Sequence, residues 1–196
     1  MNDEYLVKEI QRGNSKVFSQ LVDNYKNRIY AMAYKFTKDY QETQDLSQEI
    51  FIKIYNQIDK FKFKSKVSTW IYRVATNTCL DWKKKKRPNV IEWENITTGE
   101  NEALNDNIQM DLPLEKLLKE EYQDRIHNII SNMKDMYKTV IIMYHFNEMS
   151  YGEIANVLDV PQKTVETRLY RARRNLKDEL KKEKLGGGDE WIVKKY

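Results

Sequence analysis

The side chains best placed to do chemistry in this chain sit near its C-terminal end. Gln162, Lys163, Thr164, Thr167, Arg168, Arg171 and Arg174 recur at the spacing of one helix face. Val165, Leu169, Ala172, Leu176 and Leu180 recur at the spacing of the opposite face. A helix docked by its aliphatic side and cationic on the other fits the major groove. There Arg and Gln read base edges, while Thr and Lys hold phosphates. The preceding residues supply the partner such a helix needs. Ser150-Tyr151-Gly152-Glu153 has the form of a capping box opening a short helix with Ile154, Ala155 and Leu158, and Asp159-Val160-Pro161 ends it. Together they read as a helix-turn-helix, in which Lys163, Thr164, Glu166, Thr167, Arg168 and Arg171 reach deepest into the groove. An ordinary helical hairpin with a solvated basic face has the same pattern.

Two further groups lie upstream. From Phe61 to Asn77, aromatic and basic residues alternate through a loop into a helix: Phe61, Lys62, Phe63, Lys64, Ser65, Lys66, Val67, then Trp70, Arg73 and Asn77. Rings that stack and cations that hold backbone suit unpaired bases; the same rings also suit a core. In the stretch 45–53, Asp45, Gln48, Glu49 and Ile52 fall away from the aliphatic stripe and make an acidic, partly apolar face, suited either to docking a protein or to plain solvation. Enzymatic chemistry finds no comparable cluster. His127 and His145 lack metal-ligand spacing, Cys79 has no nearby His and lies inside an expected helix, and Gly186-Gly187-Gly188 follows a helix, where it reads as a terminator. Neither a cofactor nor a metal is expected.

The elements that would position these groups are helical almost throughout. Tyr5, Leu6 and Ile10 mark a short first helix. Leu21, Val22, Tyr25, Ile29, Met32, Ala33 and Phe36 mark a second, with Asn14 or Ser15 as its cap. Leu46, Ile50, Ile54 and Ile58 mark a third over about 41–58. Ser68 is the expected cap of a fourth, carrying Ile71, Val74, Ala75 and Thr78 and running through Lys84 to Arg87 before Pro88. Pro113 is the expected opening of the next, with Leu114, Leu117, Leu118, Tyr122, Ile126, Ile129, Ile130 and Met133, and another follows at about 135–146. The fold class is therefore all-α: two small helical domains, 1–88 and 113–183, joined by a flexible linker at 89–112, with a flexible tail at 184–196. Charge follows the same division. Residues 1–88 carry a net +8, residues 89–121 carry −7 and residues 122–196 carry +3. Basic blocks attract phosphate backbone through counterion release. A single cysteine, no long apolar run and an acidic N-terminus without a signal-like apolar region point to the cytoplasm.

Three strings occur in one order: Asp45 to Lys53, Ser68-Thr69-Trp70-Ile71-Tyr72-Arg73-Val74-Ala75-Thr76-Asn77, and Thr164-Val165-Glu166-Thr167-Arg168-Leu169-Tyr170-Arg171-Ala172-Arg173. In this the chain resembles the extracytoplasmic-function group of bacterial sigma-70 factors, of the compact kind with only sigma-2 and sigma-4 domains. The resemblance covers about 5–87 and 114–182. It implies a non-enzymatic factor that directs transcription initiation. Asp45, Gln48, Glu49 and Ile52 would meet the clamp coiled coil of the largest subunit of core RNA polymerase. Lys62, Lys64, Ser65, Lys66 and Val67 would form the loop that captures a flipped minus-10 base. Trp70, Arg73 and Asn77, with Asp81 nearby, would sit on the helix contacting that element, and Lys84 to Arg87 would hold promoter backbone. The helix from Gln162 to Leu176, with Gln162, Lys163, Thr164, Glu166, Thr167, Arg168, Arg171 and Arg174, would read duplex minus-35 DNA. Control by an anti-sigma factor, often membrane-anchored, in a cell-envelope or stress response is implied too. The acidic linker would lie near polymerase and mimic nucleic acid there. Lys163 stands where the family often has Gly, and Glu166 where it often has a basic residue, so the resemblance does not give the minus-35 sequence that is read. Two other classes remain open at this stage. One is a free-standing helix-turn-helix regulator with a ligand-binding or dimerising first domain. The other is a helical interaction protein with incidental basic faces.

Overall fold

A computed structural model describes residues 2–86 and 124–182. The expected linker 89–112, the tail 184–196, the helix opening at Pro113 and the predicted backbone contact Arg87 lie outside the described residues.

The first domain is built from four helices. α1 (Asp3–Gln11) starts at Asn2, whose side chain accepts from the Glu4 N–H, and buries Leu6, Val7 and Ile10. That stripe turns Tyr5, expected inside, outward to 49% exposure. Gly13, at φ +95°, reverses the chain after it. The expected cap at Asn14 or Ser15 makes no side-chain cap bond. Instead a 3-10 turn at Ser15–Val17 leads straight into α2 (Phe18–Thr37). α2 ends on Lys38 in a left-handed conformation. α3 (Tyr40–Gln57) is capped by Asp39, which accepts from the Glu42 N–H, and buries Leu46, Ile50 and Ile54. α4 (Val67–Lys86) starts two residues earlier than a cap at Ser68 implies, because the Lys66 carbonyl already accepts from the Trp70 N–H and Val67 is buried. α2 packs on α3, and α3 on α4.

The described part of the second domain begins with α5 (124–132), which buries Ile126, Ile129 and Ile130. α6 (Asp135–Ile141) continues into a π-helical stretch at Ile142–Phe146, so the single helix expected at about 135–146 changes its winding halfway. α7 (Tyr151–Leu158) opens on the full capping box: the Ser150 hydroxyl accepts from the Glu153 N–H, and the Glu153 carboxylate accepts from the Ser150 N–H at 3.0 Å. It closes on Asp159 at φ 53°, and after Pro161 the chain enters α8 (Gln162–Lys182). Val165, Leu169, Ala172, Leu176 and Leu180 are all buried, as their spacing predicts, and hold α8 against α6 and α7. Among the described residues there is no strand.

The two domains touch. α4 packs on α7, and the C-terminal end of α2 meets α6 and the π-helical stretch.

Candidate nucleic-acid interface

α8 places its cationic face in solvent. Gln162, Lys163, Thr167, Arg171 and Arg174 are exposed, while Thr164, Glu166 and Arg168 are half-buried, Arg168 lining the cleft toward the first domain. Glu166 lies 3.1 Å from the Lys163 ammonium, one turn back on the same helix. The Thr167 hydroxyl donates to the Lys163 carbonyl at 2.9 Å. Arg174 faces Asp178 at 3.8 Å. Such exposed pairs hold side chains only weakly, so a phosphate or a base edge can take either member. Arg173 is half-buried with its guanidinium 4.9 Å from the Tyr144 ring centroid, and so belongs to the packing of α8 rather than to its outer face.

The loop before α4 is stiffened from within. Gln11 donates through Nε2 to the Ile58 carbonyl at 2.7 Å and to the Phe61 carbonyl at 3.0 Å, which ties α1 to the loop base. Phe61 is buried and packs on Phe63 at 4.9 Å and on Trp70 at 5.1 Å between ring centroids. Phe63 takes a left-handed backbone at φ 55°, a conformation that costs a non-glycine residue on the order of 1 kcal/mol or more. It is held by that packing and by Lys8, whose ammonium lies 5.3 Å from its ring. Past this bend Lys64, Ser65 and Lys66 stand exposed, with Lys62 beside them. Val67 is buried and Trp70 half-buried, so both serve the core beneath the loop in this conformation. Arg73, Asn77 and Lys84 are exposed along one side of α4.

On α3, Asp45, Gln48 and Ile52 are exposed and Glu49 is half-buried, paired with Lys53 at 2.8 Å. Ile52 is 52% exposed, an apolar side chain among polar neighbours on a face that no other described residue covers. Cys79 is fully buried, and burial pushes its thiol up to about 12, which keeps it inert. His127 is shifted below the ordinary imidazole range, first by burial and then by the Lys35 charge. Among the described residues no cluster of metal ligands forms, and no helix is long and apolar enough to cross a membrane.

Spacing did not foretell what the first domain meets. The Lys66 ammonium lies 2.8 Å from the Glu153 carboxylate of α7. Arg73 donates through Nε to the Val157 carbonyl at 3.3 Å and through Nη2 to the Asn156 carbonyl. Arg73, Asn77 and Arg168 line one cleft of about 510 Å³ between the domains. Residues expected at two different DNA elements are thus neighbours here. Gln11, which positions the loop, was also missed, although it lies four residues after the buried Val7 on the same side of α1.

The comparisons with known proteins agree with this division. Residues 21–88 match the family model for Sigma-70 region 2, and residues 123–176 match that for Sigma-70, region 4. The ECF RNA polymerase sigma factor SigW of Bacillus subtilis is 34% identical over 89% of this chain and 95% of its own length. The ECF RNA polymerase sigma-E factor of Escherichia coli K12 is 31% identical over 88% of this chain and 91% of its own. CnrH, solved in complex with the cytosolic domain of CnrY, shares the fold with a TM-score of 0.68 at 21% identity over 91% of this chain and 97% of that one. RpoE from Bartonella quintana, solved with the anti-sigma factor NepR, does so with a TM-score of 0.63 at 20% identity over 85% and 98%.

Proposed function

We propose, for a chain that belongs to the extracytoplasmic-function group of bacterial sigma-70 factors, that its first domain opens and reads a minus-10 element and its second reads a minus-35 element on behalf of core RNA polymerase. The chain is an alternative sigma factor and not an enzyme. The observation that carries the division of labour is the exposed cationic face of α8 on a capped helix-turn-helix, set in the same chain as a rigid aromatic-based loop that presents three lysines.

α8 enters the major groove by its N-terminal end. Arg168 and Arg171 take base edges, Gln162, Lys163, Thr164, Thr167 and Arg174 hold the helix on the phosphates, and Glu166 accepts from a cytosine amino group. Lys62, Lys64, Ser65 and Lys66 receive the displaced single strand, with Arg73, Asn77 and Lys84 tracking its backbone along α4. Binding energy from these groups offsets unstacking, which costs on the order of a few kcal/mol per base, and no covalent step is needed. Val67 and Trp70 support the loop from below. Asp45, Gln48, Glu49 and Ile52 form the face for the clamp coiled coil of the largest polymerase subunit. The domain limits that follow are 1–88 and 113–183. The factor works in the cytoplasm under an anti-sigma factor that covers these faces, and a membrane-anchored inhibitor would hold it at the membrane. The Bartonella RpoE, solved with the anti-sigma factor NepR, and CnrH, solved with the cytosolic domain of CnrY, support this reading.

Run-off transcription with purified core polymerase on a promoter library tests the reading. Selective initiation that disappears in Asp45→Arg and Glu49→Arg variants of unchanged melting temperature is the expected result; each reversal should cost about 2–5 kcal/mol of core affinity if it leaves a charge unpaired in the interface. Normal core association in both variants contradicts the assignment of α3.

A further inference from the structure

We infer that the helix-turn-helix domain acts as a cover for the minus-10 face of the same chain, with α7 presenting a substitute for DNA backbone. The inference rests on the sigma-factor reading of Lys66, Arg73 and Asn77 and goes beyond it. Two of the basic side chains expected to hold a displaced strand, Lys66 and Arg73, are engaged by α7, while Lys62, Lys64 and Lys84 stay exposed. Lys66 meets the Glu153 carboxylate at 2.8 Å, and Arg73 meets the carbonyls of Asn156 and Val157 at the last turn of α7. A carboxylate and the negative end of a helix dipole are the chemical features that a phosphate chain would otherwise bring. Asn77 and Arg168 face the same interdomain cleft. DNA and α7 therefore compete for the same nitrogens.

The closure has further clasps. Lys83 pairs with Asp135, and Lys38 reaches Asn132 Oδ1 at 2.6 Å. Two lysines cross the seam in opposite directions. Lys35 of α2 stands 5.1 Å from the Phe146 ring of the second domain, and Lys138 of α6 stands 5.1 Å from the Phe36 ring of the first. Lys138 is 1% exposed and Lys35 4%. Burying two ammonium groups at a seam works against holding it shut, since each must give up water for a ring face and neighbouring polar groups. A seam made of charged clasps and buried lysines suits a contact that opens rather than a permanent core.

The test uses the full chain without polymerase. Glu153→Gln keeps the capping box, because an amide oxygen still accepts from the Ser150 N–H, and removes the charge facing Lys66. Asp135→Asn and Asn132→Ala loosen the other two clasps. None of the three residues is assigned to DNA or polymerase. The probe is a fluorescent single strand carrying the non-template minus-10 stretch of a promoter that the holoenzyme transcribes. If the open form is about a tenth of the free population, the triple variant binds this strand about tenfold more tightly, while its run-off activity in saturating core stays within about twofold. Equal affinity for the strand in wild type and in a folded triple variant overturns the cover. Should the triple variant fail to fold, small-angle scattering on the wild-type chain decides: saturating strand raises the radius of gyration if α7 must leave, and an unchanged radius with strand bound overturns the proposal. Holoenzymes that initiate normally alongside equal affinities defeat the cover alone. A wild-type chain that yields no selective initiation defeats the sigma reading itself.

Discussion

The two nucleic-acid faces of this molecule are built from similar side chains and held in different states. On α8, Lys163, Thr167, Arg171 and Arg174 stand in solvent, and their partners are neighbours on the same helix. On α4 and the loop before it, Lys66 and Arg73 are engaged by another domain. An amphipathic helix carrying a cationic outer face becomes a reader wherever it is left bare. Whether it is left bare depends on contacts between domains, which no local pattern encodes.

Four substitutions and one change of pH sharpen this contrast, from the largest effect to the smallest. Leu169, 1% exposed beneath the bare face, anchors α8; Leu169→Ala should cost about 2–5 kcal/mol of the second domain's stability in denaturant unfolding. A loss well under 1 kcal/mol would mean that α8 is held by something other than its aliphatic stripe. Arg171→Ala should weaken holoenzyme binding to minus-35 DNA by about 1–3 kcal/mol and lower the salt dependence, without changing how the free chain meets a single strand. Arg73→Ala should differ from it by weakening promoter opening while also loosening the closed form. If the two variants behave alike in the polymerase-free chain, the contrast between a face engaged across the domains and a bare one fails. Ser150→Ala removes one half of the capping box and should cost about 1 kcal/mol in thermal or denaturant unfolding.

The smallest effect is on pH. Glu153 is held at about 2, first by the hydrogen bond from Lys66 and then by the Ser150 N–H and hydroxyl. A carboxyl group with a lowered folded-state pKa stabilises the fold fully above its ordinary value of 4.5, and that contribution is lost as pH falls toward 2. The difference in denaturation midpoint between wild type and Glu153→Gln should therefore be present at about pH 6 and shrink at about pH 3. A difference that does not change with pH would place the stabilisation elsewhere.

Much of this was legible from spacing. The buried stripe Val165, Leu169, Ala172, Leu176, Leu180 and the capping box at Ser150 follow from local periodicity and local hydrogen bonding, which a sequence carries within a few residues. Helix starts were less legible. Ser68 looks like a cap, but the Lys66 carbonyl and the buried Val67 had already begun the helix. No local pattern marks Lys35 and Lys138 for burial, since a lysine is ordinarily solvated. They are buried only because the other domain lies against them, a contact separated by about a hundred residues in the chain. Arg73 and Lys66 were readable as DNA-binding types, but not as the residues that α7 would occupy.

Run-off transcription with purified core polymerase, with and without this chain, probes the account most directly. Transcripts should start at a restricted set of promoters sharing two spaced elements, and only when the chain is present. Equally selective starts from core polymerase alone would contradict it.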